Sequence, residues 1–461
     1  MATSKKSFVR WIIIGLLFIA ITFNYADRVI WVATEPAFSH AFGWTTSVSS
    51  YSKTPSAIEN VGLILFIWSL AYAIFNFPGG WIADKLGLRK TLTTMFAIWS
   101  IFTALTAATF NFISMAIVRA VMGAGEGPVW PINSKLTKNW SNKGDESKAF
   151  TFAGTGQAVG PVVALLTTAA IYPVVGWRGL FVIFGLIGLI FAAIWYFYVR
   201  DTPSQHPGVN KAEIAYINEG KSLHEKEEKS PLSSRAIWSI TGKVIFGTQA
   251  GWGVFIVFLS FGYILFTMLY WLPPYFFGTF AHTITGSSLY TAAVDTALIL
   301  GYFGSGPFND RLGRKFEKVT ARRIGAISPM IIMLLAFIFS YYTGTAHLLV
   351  PTILLLALAS GVMNLTVGSW AVNAVDLAPS GTSATVYGVC NGALNVVGAF
   401  NSLIVAAIFV HLSPQIGIAS AAIPMIVFII GYLVLIRKST WAGAIKYGEA
   451  LLKQELSKVS K

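Results

Sequence analysis

Long apolar runs broken by short polar stretches recur along nearly the whole chain. The pattern predicts helices over 9–37, 60–83, 89–108, 111–136, 147–175, 178–199, 245–275, 287–308, 325–342, 347–375, 382–411 and 416–436. Each run approaches or exceeds the roughly 20 residues that cross a hydrocarbon core. Such runs have no use for a strand period, so the expected fold class is an all-α integral membrane protein of twelve transmembrane helices.

Composition agrees with that pattern. Of 461 residues, 55% are hydrophobic and only 11% charged, whereas soluble domains carry about a quarter charged. The net charge of +14 would suit a nucleic-acid binder, but its placement speaks against one. All but four of the 33 Lys and Arg fall in the first ten residues, in alternate loops, in 200–243 and after Ile436. That is the positive-inside distribution, which places both termini and the central loop in the cytoplasm of a cell-membrane protein. The four exceptions are Lys53, Arg178, Arg28 and Arg119. Lys5, Lys6 and Arg10 ahead of the first run imitate a signal peptide, but that run is too long and lacks a small-residue cleavage site, so it reads as an uncleaved span. A single cysteine, Cys390, leaves no internal disulfide and no thiolate metal site.

The polar stretch from Asp201 to Gly242 is the only long one between spans. It divides the chain into a first bundle (1–200), a connector (201–243), a second bundle (244–437) and a tail (438–461). The connector reads as solvated surface with a short amphipathic helix near Lys211–Asn218. On either side of it a motif repeats. "GGWIADKLGLRK" (79–90) and "SGPFNDRLGRK" (305–315) place Gly80, Asp84, Lys85 and Gly87 in register with Gly306, Asp310, Arg311 and Gly313, followed by the basic pairs Arg89–Lys90 and Arg314–Lys315. Repeats of six plus six spans are a transporter architecture. Gly80 and Gly306 would permit close helix approach. Asp84 and Asp310 would cap a helix or pair with a base, so Gly80, Asp84, Arg89, Gly306, Asp310 and Arg314 are the candidate conformational latch.

Inside the spans, four ionisable groups stand out: Asp27, Arg28, Arg119 and Glu126. Each is costly in a bilayer unless partnered or hydrated, which makes each a functional candidate. Arg119 and Glu126 lie close to two helical turns apart on one face. Asp27 and Arg28 are adjacent, so their side chains diverge by about 100° and each needs its own partner. Acid from one span pairing with base from the other is the simplest account. Arg offers a planar fork for a carboxylate, and a buried carboxylic acid can exchange protons. The set can therefore bind an organic anion and carry coupling protons, or it can simply be two salt bridges that fix helix packing. Buried pairs stabilise poorly against apolar packing, which favours use.

These sequences are recognisable. The repeated Gly-x-x-x-Asp-basic-x-Gly loop resembles the signature of the major facilitator superfamily. "FNYADR", "FNFPGGWIADKLG", "VRAVMGAGEGPVWPIN" and "SQHPGVNKAEIAYI" resemble its anion:cation symporter family, which includes bacterial galactonate, glucarate and hexuronate carriers and, more distantly, sialin and the vesicular glutamate transporters. The resemblance runs from the first span to the last and is strongest in spans 1, 2 and 4 and the connector. It implies a monomeric proton-coupled symporter that needs no cofactor beyond the proton gradient. It also implies that Asp27 and Glu126 carry protons, that Arg28 meets the substrate carboxylate, and that Arg119 is tied to the span 4 acid. Tyr25, Tyr72, Gln157 and Asn391 match cavity positions, and their groups suit hydroxyl recognition; Asn395, one turn after Asn391 on the same face, is a lesser candidate. A hexonate, hexarate or hexuronate is the first reading of the substrate, and an aromatic or dicarboxylic acid the second.

Three features depart from the family. The loop after span 1 ("GWTTSVSSYSKTPSAIEN") is longer, span 7 and its following loop align poorly, and Asp295 stands where the relatives have an apolar residue. Asp295 reads as a solvated helix end, with a third cavity acid as the alternative. Ser369, Trp370 and Asn373 are expected near the cavity wall of the second bundle. Other functions fit less well. The six His are scattered without metal or catalytic spacing, and "GAGEG" and "GTGQAVG" miss the dinucleotide fingerprint. A proton-driven drug antiporter would use an acidic cavity without two Arg.

Overall fold

The computed structural model describes residues 7–142, 144–219, 232–380 and 382–459, with only the backbone described at 77–81, 84, 147, 384 and 459. It is helical throughout, and no strand occurs among the described residues. Nine of the described helical stretches are long and apolar enough to cross a membrane. The longest, Lys148–Tyr198, contains Gly176 at φ 66° and ψ −178°. At that point the chain leaves helical geometry, in a left-handed region that favours glycine.

The chain forms two compact units. The first comprises Met1–Lys226 together with Phe276–Ala292, and the second Glu227–Tyr275 with Ala293–Lys461.

In the first unit, α1 (Val9–Ala33) is followed by the short α2 (Glu35–Ala41), a 3-10 turn (Val48–Lys53), α3 (Pro55–Leu86), α4 (Leu88–Thr106), α5 (Phe112–Glu126), α6 (Val129–Trp140), α7 (Glu146–Gly154), α8 (Gly156–Tyr198) and α9 (Lys211–Asn218). Their boundaries follow local chemistry. Asn111 and Ser114 form a reciprocal capping box at the start of α5, and Pro55 opens α3, where its missing N–H costs nothing. Between α3 and α4, Gly87 has φ 83°. The Asp201 carboxylate caps the new helix there, accepting the Arg89 N–H at 2.7 Å.

α1 and α4 pack against α8, and α3 and α4 against α5. Glycines set the closest approaches. A Cβ at Gly123 would fall 2.5 Å from the Trp68 carbonyl, and one at Gly160 would fall 2.5 Å from the Thr22 carbonyl. Within the small-residue run around Glu126, Gly123 and Gly127 pack on α3 and Gly125 packs on α4.

α9 occupies the expected residues, but the connector around it is not merely solvated surface. Glu213 is fully buried and accepts bonds from the Ser7 hydroxyl and from Arg10 at 3.3 Å. The Arg10 guanidinium lies 4.5 Å from the Tyr216 ring centre, and the Tyr216 hydroxyl donates to Asp145 at 2.7 Å. The reason is local: Glu213 stands one turn before Ile217 on the buried face of α9, where it meets the base that opens the first span.

The second unit contains α10 (Ser234–Phe246), most of α11 (Gln249–Phe276) and of α12 (Ile284–Lys315), α13 (Lys318–Thr345), α14 (Leu349–Leu365), α15 (Val367–Leu377), α16 (Ser383–His411), α17 (Pro414–Ala419), α18 (Ala422–Ile430) and α19 (Lys438–Val459). α13 packs on α14, α15 on α16, and the terminal helix α19 on α10. Two expectations fail here. Asp295 is only 3% exposed rather than solvated. Ser369, Trp370 and Asn373 are buried in packing: Ser369 donates to Asn309, Trp370 lies against Phe258 and Phe261, and Asn373 bonds Arg322 and Tyr432. An apolar helix face must satisfy its polar groups locally.

Candidate functional site

The four intramembrane charges meet in the first unit. Arg28 and Asp27 are 2% exposed, and Arg119 and Glu126 are fully buried. The central contact is an ion pair between α1 and α5, with Arg28 Nε donating to Glu126 Oε2 at 3.0 Å. Asn24, one turn before Arg28, closes a triangle. Its Nδ2 donates to the same Glu126 oxygen at 3.1 Å, and its Oδ1 accepts from Arg28 Nη2 at 2.8 Å.

Three aromatic rings surround the guanidinium, with centres at 4.6 Å (Tyr25), 4.8 Å (Trp68) and 4.5 Å (Tyr72). Ring faces offer a desolvated cation partial compensation without a competing negative charge. They also leave Glu126 as the full counter-charge of that arginine, so an incoming carboxylate would compete with Glu126 for it.

Arg119 lies one level further along the pair of helices. Its guanidinium sits 4.9 Å from the Trp31 ring centre and 5.6 Å from that of Trp68, and its Nη1 is 3.0 Å from Met122 Sδ. Asp27 points elsewhere, as adjacency to Arg28 requires. Its Oδ2 accepts from Thr103 of α4 at 3.3 Å, and its Oδ1 has no hydrogen-bond partner among the described residues. The charges that act on Asp27 are those of Glu126 and Arg119. A buried carboxyl with an unsatisfied oxygen calls for a functional explanation.

The structure thus places Tyr25, Tyr72, Asp27, Arg28, Arg119 and Glu126 in one cluster. Arg28 makes an ion pair with Glu126, and the Arg119 charge acts on Glu126 as well. Gln157 is part-exposed on α8, one turn before the glycine that packs on Tyr25. Asn391 and Asn395 are part-exposed on α16 of the second unit, where Asn395 Nδ2 donates to the Asn391 carbonyl at 2.8 Å. Asn24 and Trp68 are the functional neighbours that sequence reasoning missed. Asn24 could have been found, since it stands four residues before Arg28 in the same motif.

The comparisons with known proteins agree on a single family. The model of the Major Facilitator Superfamily matches residues 16–402. The chain belongs to that superfamily. It is 28% identical over 359 residues to a probable galactarate/D-glucarate transporter of Bacillus subtilis, covering 75% of this chain and 74% of that one. It is 31% identical to a probable L-galactonate transporter of Escherichia coli, over 56% of this chain and 52% of that one. Among solved structures, a bacterial homologue of the human lysosomal transporter Spinster superposes with a TM-score of 0.69 at 16% identity, covering 97% and 99% of the two chains. The chain is therefore a multi-pass membrane transporter of a small organic solute, and its curated relatives fit the anion:cation symporter branch.

The superfamily's repeated loop is described unevenly. The side chain of Asp84 and that of Gly80's helix turn lie outside the described residues. Arg89 is held within its own unit, with Nε donating to the Tyr196 carbonyl at 2.6 Å and its guanidinium over the Tyr196 ring at 4.3 Å. In the second copy Gly306, Asp310 and Arg314 are all exposed. Among the described residues, nothing lies within 4 Å of where a Cβ at Gly306 would sit.

Proposed function

We propose that the protein is a proton-coupled symporter that imports a sugar acid (a hexonate, hexarate or hexuronate) across the cell membrane by alternating access. The observation that carries this reading is the buried Arg28–Glu126 ion pair, in a superfamily carrier whose relatives include sugar-acid transporters. Twelve spans are read from the nine apolar stretches, the turn at Gly176 and the helices α4 and α12. Both termini then lie in the cytoplasm with the basic loops, and a monomer suffices.

In this reading Arg28 has two alternative counter-charges. Protonation of Glu126 and Asp27 weakens the internal pair, and the substrate carboxylate takes its place on the guanidinium. Tyr25, Tyr72, Gln157 and Asn391 supply hydrogen bonds to its hydroxyls. Release of the protons to the cytoplasm restores the Glu126 pair and expels the anion. No cofactor is required, because the gradient supplies the work. The aromatic surround of Arg28 favours a second reading for the cargo, an aromatic carboxylate.

Purified protein in vesicles with an imposed pH gradient tests the proposal. Accumulation of labelled galactonate, glucarate or glucuronate that collapses with the gradient is the expected result. Absence of gradient-driven uptake of any acidic solute, with uptake of a lipophilic cation instead, would overturn it.

A further inference from the structure

Asn24 is fully buried on α1, one turn before Arg28. Its two ends face opposite charges. The amide nitrogen Nδ2 donates to Glu126 Oε2 at 3.1 Å, and the carbonyl Oδ1 accepts from Arg28 Nη2 at 2.8 Å. The reverse orientation would set N–H against guanidinium and oxygen against carboxylate, so the two neighbours fix the amide.

Nε and Nη2 of a guanidinium share one edge, whose parallel N–H bonds fit the two oxygens of a carboxylate. On Arg28 that edge carries two oxygens from two residues, Glu126 Oε2 on Nε at 3.0 Å and Asn24 Oδ1 on Nη2. The Asn24–Glu126 bond ties them together. The two residues thus imitate, with one negative charge, the carboxylate that the proposed cargo would bring. Packing alone does not ask for this. α1 is set against α8 at Gly156 and Gly160, where a Cβ would fall 2.7 Å from the Phe18 carbonyl and 2.5 Å from the Thr22 carbonyl. The buried amides Asn364 and Asn401 of the second unit bond neutral carbonyls and a hydroxyl, whereas Asn24 spans two charges.

We propose that Asn24 is a positioning residue that joins Glu126 in occupying the carboxylate-binding edge of Arg28, so that an anion docks there only when both oxygens leave together. This rests on the proton-coupled reading above. Glu126 takes a proton from hydronium, leaving water, and its hold on Nε weakens. Asn24 then loses its charged acceptor and turns away from Nη2 with it. The other titratable and charged groups facing the pair are Tyr25 and Asp27 of α1, Arg119 of α5 and Tyr72 of α3. α4 turns the neutral Thr103 towards Asp27, and α8 presents glycines to α1.

Two measurements on the full-length protein in detergent test it, with galactonate and glucuronate as probes. Asn24→Leu keeps the volume but removes both ends of the amide. Glu126 loses a donor to its charged form, so the infrared carboxyl band that Glu126→Gln abolishes should appear at about tenfold lower proton concentration. Anion affinity at alkaline pH should rise, and the gain in affinity from about pH 8 to about pH 6 should shrink about tenfold. Asn24→Asp adds a second carboxylate to the edge and should steepen the pH dependence instead, with up to about one more proton taken up per anion bound. A purely structural role would lower stability in both variants and leave both pH dependences where they were. The aspartate variant, nearly isosteric, decides the matter if the leucine one fails to fold. An unmoved band in Asn24→Leu would overturn the proposal, as would pH-dependent binding by the unmodified protein that neither substitution changes. Absence of gradient-driven uptake by the unmodified protein, with the band still displaced, would instead strike the proposed function and leave the role of Asn24 standing.

Discussion

In the first unit, α1, α2 and α5 bury three arginines (Arg10, Arg28 and Arg119) and three carboxylic acids (Asp27, Glu35 and Glu126), whereas the described core of the second buries Asp295 and no basic residue. The second unit satisfies its interior with neutral amides and hydroxyls. Asn401 Nδ2 donates to Thr267 at 2.8 Å, and Asn364 Nδ2 to the Leu298 carbonyl at 3.2 Å. Neutral bonds of that kind hold helices together at little desolvation cost. Ion pairs buried in the same surroundings stabilise no better than apolar packing would. The contrast teaches that helix assembly does not require the charges of the first unit, so their presence follows from their chemistry.

The largest effect that would sharpen this contrast is expected from Arg28→Ala. It leaves Glu126 without its ion-pair partner, at a cost of about 3–5 kcal/mol if Glu126 stays ionised. Anion affinity should fall at least about a hundredfold, read by ligand-dependent thermal shift and by binding. Asp27→Asn and Glu126→Gln should each reduce gradient-driven accumulation by about a hundredfold while still binding the anion. Full accumulation in both variants would remove protons from the first unit's role.

The repeated glycines offer a third test, this time of backbone. Gly87 sits at positive φ, and a Cβ there would fall 2.4 Å from Asp201 Oδ2. Its counterpart Gly313 lies inside α12 with no described residue within 4 Å of a Cβ. Gly87→Ala should destabilise by more than about 1 kcal/mol, whereas Gly313→Ala should stabilise by about 0.5–1 kcal/mol. Thermal unfolding in detergent separates the two. The smallest effect belongs to Asn391→Ala in the second unit. Losing one neutral hydrogen bond to substrate should weaken binding by about 1 kcal/mol, less than tenfold. A loss as large as that for Arg28 would break the comparison.

Much of this was readable from the residues. Apolar runs placed the helices, and the α9 helix at Lys211–Asn218 followed from its local pattern. The divergence of Asp27 from Arg28 followed from adjacency alone. What adjacency could not supply was the choice of partner. That Glu126 meets Arg28 depends on how α5 sits against its neighbours, and close backbone contacts of Gly123 and Gly127 with α3 help set that placement. Glu35 was visible as an acid inside the first apolar run. Its burial, however, depends on a loop residue sixteen positions away folding back over it. The docking of Glu213 was hidden for the same reason, since its partners lie near the start of the chain.

That last contact bears on how the protein is made. Ser7 and Arg10 are bound by a carboxylate some two hundred residues downstream, and α4 is capped by an acid more than a hundred positions after it. A ribosome delivers these partners long after the segments they close. The first bundle must therefore wait, with its earliest helix inserted but its end unfastened, until the connector emerges. A nascent chain cut just before residue 201 would carry every helix of that bundle and neither of its fasteners.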